Sequence, residues 1–428
     1  MAGRRPRRNA YPVVISRPRN GLKQNTYFGE FQMLMNHREL GQMYRTLGGR
    51  ETCRLVTECL ELGRRGQVGG LRPSDFSIRD LAESVVDNGR EWVQSMDPRR
   101  GQSVLESGSA IDSTAFSNIT GQLLINEIMD GYQSEEFVFS NLFRTTSTRL
   151  NGEKIPGIAK LGDQTEEVHE GMPYPHVGTG EDYIETPSTT KRGLIVPVTK
   201  EAVFFDRTGL VLERAREVGE SLGIDKEKRC VDVAIGAINN YKWRGTAYNT
   251  YQTATPWINE LSGSSYDLED WTDVDAAEQL FANMVDPNTG EPILIGATTA
   301  IVSPARRHAA NRILNATEVR YTGSGAPTET LAVNPLSGAG YSARMSRYFY
   351  SRLQSQLALT ADQAKATWLF GDFARAFRYM ENWPITTVQA PANSEAEFNQ
   401  DIVARFKASE RGVAAVHNPR YVARVKGF

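Results

Sequence analysis

The chain has 428 residues, of which 40% are hydrophobic and 23% are charged, and its formal net charge is −2. This length accommodates two or three packed units, and this composition excludes a fibre and a globally disordered chain. Three cysteines, Cys53, Cys59 and Cys230, form no CxxC pair and have no histidine at ligand spacing. Disulfide and zinc frameworks are therefore disfavoured, and a reducing compartment is expected. The sequence predicts neither a signal peptide nor a membrane span.

The N-terminus is basic, because seven cationic residues precede the first acidic residue, Glu30. They are Arg4, Arg5, Arg7, Arg8, Arg17, Arg19 and Lys23. Residues 1–24 have no hydrophobic periodicity, which predicts an extended arm that orders only against a partner. Two interpretations remain open: a solvated tail, and a contact with a polyanion such as DNA.

Hydrophobic spacing predicts helices in the rest of the N-terminal region. Two helices separated by Gly48 and Gly49 are expected within residues 28–63, and Ser74-Asp75 predicts the capped start of a helical region that reaches Trp92. Residues 98–109 predict a linker. Residues 116–132 predict an amphipathic helix whose apolar face packs on a core.

Residues 149–192 have a different composition, with four prolines, scattered charges and no apolar run long enough to form a core. Structureless loops of this length in compact proteins are usually arms or binding loops. Drawn out as a hairpin, two limbs of about 20 residues would each reach roughly 60 Å. Such a loop would lie on a neighbouring molecule.

Residues 193–205 predict a strand, and Asp206 or Thr208 is expected to cap a long helix that ends near Asn240. About thirty residues give a rod of roughly 45 Å, which Gly219 and Gly223 are expected to bend. Charged residues lie between its apolar positions: Glu213, Arg214, Arg216, Glu217, Lys226, Glu227, Lys228 and Arg229. These charges are interpreted as partly solvated helix pairs and subunit contacts.

The remaining sequence predicts a mixed α/β region. Helices are expected at 275–284 and 305–314, strands at 292–297 and 299–304, and a turn at 286–290. Residues 366–390 predict two strands, and residues 401–428 predict further long strands.

No pattern that carries enzyme chemistry is present in the sequence. The five histidines, His37, His169, His176, His308 and His417, are isolated from other ligand types. His169 and His176 are the best metal candidates, but a solvated loop face is the favoured interpretation. No GxSxG, GxGxxG or Walker motif occurs. We therefore expect no catalytic residue, cofactor or metal, and a structural protein in place of an enzyme.

The order of the elements is more specific than any one of them. The two sharpest segments are KEAVFFDRTGLVLERAREVGESLG and LFGDFARAFRYMENWPITTVQ. With their flanking regions they resemble the major capsid proteins of tailed bacteriophages, whose HK97-like fold is shared by phage heads and encapsulin compartments. The resemblance covers residues 137–428. It implies an α+β fold with an N-terminal arm, an extended loop, a peripheral domain with a long spine helix, and an axial domain.

The resemblance also implies a division of the chain. Residues 1–110 would form the basic arm and its helices, and 111–148 the helix that leads into the peripheral domain. Residues 149–192 would be the extended loop, and 193–242 the peripheral domain. Residues 243–365 would be the axial domain at the centre of hexamers and pentamers. Residues 366–428 would return as strands to both domains.

The extended loop is expected to contact an adjacent subunit through Lys154, Lys160, Glu166, Glu167 and Glu170. Some family members join neighbours covalently through a loop lysine and an asparagine near the chain end, assisted by a glutamate. By this resemblance the position that matches the asparagine looks like Asp401, and Glu410 would match the glutamate only if it is shifted. The resemblance therefore predicts no covalent crosslink.

Three hypotheses follow. The first is a self-assembling phage capsid subunit that encloses double-stranded DNA in a virion head built in the host cytoplasm, with scaffold, portal and decoration proteins as further partners. The second is an encapsulin-like shell around a protein cargo. The third is a nucleic-acid-binding module attached to an enzyme domain. The basic arm favours the first.

Overall fold

A computed structural model describes residues 46, 49–64, 77–85, 89–95, 110–134, 136–157, 167–169, 182–286, 290–321, 330–390 and 402–428. The seven cationic residues of the N-terminal arm lie outside the described residues, as do the predicted linker and most of the predicted loop. The described helices are α1 (Gly49–Arg64), α2 (Ile78–Val85), α3 (Gly89–Ser95), α4 (Ala110–Tyr132), α5 (Phe139–Leu142), α6 (Lys200–Phe204), α7 (Thr208–Ala234), α8 (Trp271–Ala282), α9 (Arg307–Asn315), α10 (Arg347–Leu357), α11 (Ala361–Ala366) and α12 (Phe373–Ala376).

The described strands form two larger and two smaller sheets. They are β1 (Arg144–Ser147), β2 (Lys154–Pro156), β3 (Tyr183–Glu185), β4 (Thr190–Thr199), β5 (Tyr241–Trp243), β6 (Thr246–Tyr248), β7 (Glu260–Ser262), β8 (Thr299–Val302), β9 (Glu318–Tyr321), β10 (Thr330–Val333), β11 (Ser342–Met345), β12 (Thr367–Gly371), β13 (Phe377–Gln389), β14 (Ile402–Val416) and β15 (Val422–Lys426). Helices and sheets thus share the fold, which confirms the predicted α+β class.

A four-stranded sheet in the order β1-β13-β14-β4 carries the long helix α7 on one face. Strands β13, β14 and β4 pair antiparallel, and β1 pairs with β13 in parallel. Val196 and Phe406 from the sheet and Leu222 from α7 share one buried core with α1, α2 and α4. The helix covers only one face, so the other face of this sheet lies away from that core.

A five-stranded sheet in the order β11-β8-β12-β15-β7 forms a separate core with α8 and α9. Trp368 and Phe370 of β12 and Val425 of β15 are buried there. The four C-terminal strands connect the two sheets, because β13 and β14 lie in the first and β12 and β15 in the second. The last sixty residues therefore stabilise both halves of the described structure.

Helix α7 is continuous at both glycines where a bend was expected. A Cβ atom at Gly219 would lie 2.0 Å from the carbonyl oxygen of Ile128, and one at Gly223 would lie 2.4 Å from the ring of Phe137. Both glycines therefore allow α4 and the segment that follows it to approach α7 closely. The expected bend stays a prediction, and the observed role of both positions is close packing of α7.

The ends of α7 also differ from the prediction. Arg207 occupies the N-cap position without a side-chain hydrogen bond, and neither Asp206 nor Thr208 caps α7. Thr208 instead accepts a hydrogen bond from the backbone of Ile78 at 2.8 Å and so contributes to the start of α2. The helix ends at Ala234, six residues before Asn240, because Gly236 takes a left-handed conformation with φ of +74°.

Three other predictions require correction. The strand predicted over 193–205 ends at Thr199, whose side chain accepts a hydrogen bond from Ala202 and starts α6. The strand predicted over 292–297 is absent from the described residues except for a single bridge between Val285 and Pro292. Helices α10 and α11 were not predicted, although Thr360 and Gln363 form a capping box that the sequence displays.

Candidate assembly surfaces

The base of the predicted loop is a short hairpin. Strand β2 pairs antiparallel with β3, and β3 pairs with β5, so that Ile184 is fully buried between them. Asp182, next to β3, accepts hydrogen bonds from the Trp243 ring nitrogen at 2.6 Å and from Arg244 at 3.3 Å. These contacts fix both limbs of the loop where they leave the described structure.

Of the five loop residues expected to contact a neighbour, the structure describes two, Lys154 and Glu167. Lys160, Glu166 and Glu170 lie outside the described residues. Glu167 is exposed. The Lys154 ammonium lies 3.7 Å from Glu185 and 4.3 Å above the ring of Tyr183. Lys154 therefore belongs to the base of the hairpin.

A buried polar cluster joins α7 to the sheet. Glu410 of β14 is 1% exposed and pairs with Arg229 of α7, and its second oxygen accepts a hydrogen bond from Tyr132 at 2.5 Å. Lys226 donates to Tyr132 at 2.9 Å and lies 4.3 Å above the ring of Tyr379. With these partners, the Glu410 carboxylate stabilises the packing of α7 on the sheet.

Protonation within this cluster is set by burial and by charge. Burial raises the pKa of Tyr132, and Glu410 raises it further. Burial alone would lower the pKa of Arg229, but Tyr379 and Glu410 outweigh it and raise that pKa. The cluster therefore holds a neutral phenol beside a charged ion pair.

Glu227 of α7 is also fully buried. Its carboxylate accepts hydrogen bonds from the backbone of Val138 at 3.0 Å, Phe139 at 2.9 Å and Ser140 at 2.8 Å. Helix α5 has no side-chain cap of its own, so Glu227 satisfies its first N–H groups. The expectation that Glu227 is partly solvated or contacts a subunit was wrong, because Glu227 is fully buried. Arg229 forms the expected partly solvated helix pair, at 3.0 Å from Asp225, and pairs with Glu410 as well.

Three exposed charges of α7 lie along a groove. A cavity of about 450 Å³ separates β4 from the first half of α7, and Glu213, Arg214 and Glu217 form its polar rim. Ile195, at 56% exposure, and Leu210, at 43%, form its apolar floor. An apolar groove with a charged rim is typical of a protein-binding surface.

Strand β4 is also an edge strand, because its sheet ends there. Its outer N–H and C=O groups have no neighbouring strand within the described sheet. Unprotected edges of this kind pair readily with another chain. Pro197 interrupts the edge near its end, which restricts such pairing to the first part of the strand.

The described residues contain no group of three or more His, Cys, Asp and Glu side chains that could hold a metal ion. His169 is exposed, and His176 lies outside the described residues. Over the same part of the chain, no helix is both long and apolar enough to cross a membrane. The described surface is therefore characterised by a hairpin base, an apolar groove and a free strand edge.

A sequence profile of the family described as phage capsid protein matches residues 183–425, more than half of the chain. The chain belongs to the phage capsid protein family. This membership confirms the resemblance seen in the sequence, and the major capsid protein hypothesis is the one it supports. The matched region begins at β3 and ends in β15, so it contains the spine helix α7, the five-stranded sheet, and strands β13, β14 and β4 of the sheet that carries α7.

Comparison with curated proteins finds no match to this capsid protein. Solved structures with similar chains include a virus-like particle from Pyrococcus furiosus, at 11% identity and TM-score 0.38, covering 71% of this chain and 97% of that one. The capsid of cyanophage P-SCSP1u is 14% identical at TM-score 0.40, covering 68% and 88%. The mature capsid of bacteriophage PhiM1 is 13% identical at TM-score 0.40, covering 68% and 86%.

Family membership makes this capsid protein a structural component of a phage capsid. Neither the compartment hypothesis nor the enzyme hypothesis is favoured by the comparisons. The sequence interpretation missed the groove. The apolar run at the end of β4, Leu194 to Val198, together with Leu210 on the opposing helix, was a signal in the sequence that could have revealed it.

Proposed function

We propose that this capsid protein self-assembles into hexamers and pentamers that close an icosahedral phage head around double-stranded DNA. The observation that carries the proposal is the free edge of β4 beside the apolar groove that it forms with α7. In a shell, a neighbouring copy would cover both. Obligate interfaces bury more than about 2,000 Å², and projecting arms enlarge such interfaces.

In this proposal the extended loop, the axial domain and the N-terminal arm make the other contacts. The extended loop, residues 149–192, would lie on an adjacent subunit, and the axial domain, residues 243–365, would meet its copies at the centre of each capsomer. The arginines of the N-terminal arm would face packaged DNA, where contacts of this kind weaken steeply with added salt. Assembly would take place in the host cytoplasm with scaffold, portal and decoration proteins as partners.

The first experiment is negative-stain microscopy of the purified protein. We expect closed shells several hundred ångströms across, and a small discrete oligomer would contradict the proposal. The variants Ile195→Glu and Leu210→Glu place charges on the groove floor and should abolish shells while leaving a folded subunit. Glu213→Gln, on the rim of the same groove, is the matched control and should assemble normally.

The cargo separates the DNA-filled head from a protein compartment. Particles from infected cells should release nuclease-protected DNA after the shell is opened. Release of a single protein cargo without DNA would favour the compartment. Deletion of residues 1–24 should lower the DNA affinity of the unassembled subunit in low salt, and unchanged affinity would remove the arm from the proposal.

A further inference from the structure

The sheet β1-β13-β14-β4 has two chemically different faces. Side chains alternate between the faces of a strand. Phe406 of β14 lies in the core that the sheet shares with α7. Arg229 of α7 donates hydrogen bonds to Tyr379 of β13 and Glu410 of β14, and Lys226 of α7 acts on the pKa of Glu381 of β13. All four sheet residues therefore face α7. The residues between them point away from the helix.

The face away from α7 is basic. Its charged residues are Arg144, Lys191, Arg378, Arg405, Lys407 and Arg411. At the outward positions of these four described strands there is no aspartate or glutamate. Both acidic residues of β13 and β14, Glu381 and Glu410, lie on the helix side. We call the six cationic residues together the basic sheet face.

Like charges face each other across this surface. Arg144 is in register with Arg378, and Lys191 is in register with Arg411. Like charges directly opposite each other on neighbouring strands are destabilising. On the helix side, by contrast, Arg192 is in register with Glu410. The sheet therefore pairs opposite charges on one face and places like charges together on the other.

The charges of the basic sheet face are not neutralised within the described part of the chain, where none of the six forms an ion pair. Arg192 on the helix side does so, at 3.4 Å from Asp225. The Nε atoms of Arg378 and Arg405 are buried and have no hydrogen-bond partner. Burial and the neighbouring Arg144 lower the pKa of Arg378, which agrees with this crowding. Among the described residues, this surface has no anionic partner.

The same chain carries a segment of opposite charge. Residues 158–181 of the extended loop contain five carboxylates, Asp163, Glu166, Glu167, Glu170 and Glu181, and one lysine, Lys160. We propose that this acidic segment from a second copy docks on the basic sheet face. The proposal rests on the proposed function, in which the loop lies on an adjacent subunit. It adds that the loop binds to the basic sheet face and that electrostatic attraction holds it there.

Apolar residues on the basic sheet face favour a peptide over nucleic acid as the occupant. Val388, in register with Lys407, is 53% exposed, and Trp383 is in register with Arg411 on the same face. Val168, Met172 and Tyr174 of the acidic segment can pack on such residues. A phosphate backbone offers only charge and hydrogen-bond acceptors.

The first test uses particles assembled from isotope-labelled and unlabelled wild-type chains and coupled with a zero-length carbodiimide. We expect amide bonds from Lys191 or Lys407 to Glu166, Glu167 or Glu170, in peptide pairs that combine labelled with unlabelled halves. Exclusively same-label pairs would place the contact within one chain and overturn the second-copy occupant. Absence of these crosslinks from intact particles would overturn the docking itself.

The second test reverses the charges. R405E/K407E should lower particle yield about tenfold, because like charges would then meet at the contact. Adding E166K/E170K to the same chain should restore yield to within about twofold, since attraction returns with opposite sign. R405K keeps the charge and should assemble as wild type. The rescue separates a lost contact from a lost fold.

The outcomes distinguish the two proposals. If the wild-type protein forms no particles, the proposed function fails. If wild-type particles form and R405E/K407E assembles equally well, only the docking proposal fails. If R405E/K407E assembles but its particles lose packaged DNA, the basic sheet face contacts nucleic acid instead, and the loop assignment is wrong.

Discussion

Glu227 lies 2.9 Å from the backbone nitrogen of Phe139 and so links the spine helix α7 to the short helix α5, ninety residues earlier in the sequence. Phe139 in turn packs against Phe349 and Phe373 with ring centroids 6.1 Å and 6.2 Å apart. One carboxylate of α7 thus helps to position an aromatic cluster that α5, α10 and α12 share.

Replacement of Glu227 by alanine should lower the free energy of unfolding by about 2–4 kcal/mol, because buried N–H groups at the start of α5 would lose their acceptor. Urea unfolding of the unassembled subunit measures the loss. Glu217→Ala is the control, since Glu217 is exposed on the same helix and should change stability by less than about 0.5 kcal/mol. Equal effects of both substitutions would contradict the capping role.

Removal of Arg229 should be more damaging, because Glu410 would remain buried and charged without its partner. We expect Arg229→Met to destabilise by about 3–5 kcal/mol and R229M/E410Q to recover part of the loss. Arg216→Met is the control: Arg216 pairs with Glu220 at 3.4 Å on the exposed side of α7, and such pairs contribute about 0–1 kcal/mol. A double variant no more stable than R229M would argue against a specific buried pair.

Alanine substitutions at two glycines of α7 should change the free energy of unfolding in opposite directions. Gly219→Ala should destabilise by several kcal/mol, because its Cβ would overlap the backbone of Ile128. Gly209→Ala should stabilise by about 0.4–1 kcal/mol, because nothing lies within 4 Å of that position and alanine restricts the unfolded chain. Thermal unfolding of both variants distinguishes a packing role from a helix-propensity effect, which would stabilise both.

An element or a residue's role could be predicted from the sequence only where the contacts that determine it join residues close together in the chain. The hydrophobic period of α7 and the β-rich runs of β12 to β14 are local, and the sequence predicted them. The roles of Glu227, Arg229 and Gly219 were not predictable, because their partners Phe139, Glu410 and Ile128 are distant in sequence. Likewise, the basic sheet face follows only from strand register, which brings Arg144 beside Arg378.

His417 makes stability depend on pH. Its burial, together with Arg378 and Arg144 nearby, lowers its pKa from 6.5 to about 4. The unfolded chain therefore takes up this proton first as the pH falls. The contribution of the neutral imidazole is fully present above pH 6.5 and is lost progressively down to about pH 4, by up to about 3 kcal/mol.

The measurement compares wild type with His417→Gln by urea unfolding at pH 7 and pH 4.5. Wild type should lose more stability than the variant over this interval, by about 2 kcal/mol. His308→Gln replaces an exposed imidazole on α9 and controls for the loss of a histidine as such. A constant difference between wild type and His417→Gln at both pH values would contradict this account.

The last prediction concerns covalent bonding between subunits. The reaction seen in some family members joins a lysine amine to an asparagine side chain with loss of ammonia, and it needs a carboxylate free to act as base. By the resemblance, Asp401 would stand at the matching position, and an ionised carboxylate is a poor electrophile. Glu410 is bonded to Arg229 and Tyr132.

Mature particles boiled in detergent should therefore run as a single monomer band. Asp401→Asn restores the electrophile but leaves Glu410 committed to its buried partners, so this variant should also remain monomeric. A ladder in wild type would show that another residue pair reacts. A ladder in Asp401→Asn alone would show that Glu410 leaves Arg229 in the assembled shell, and would make that buried pair a feature of the free subunit only.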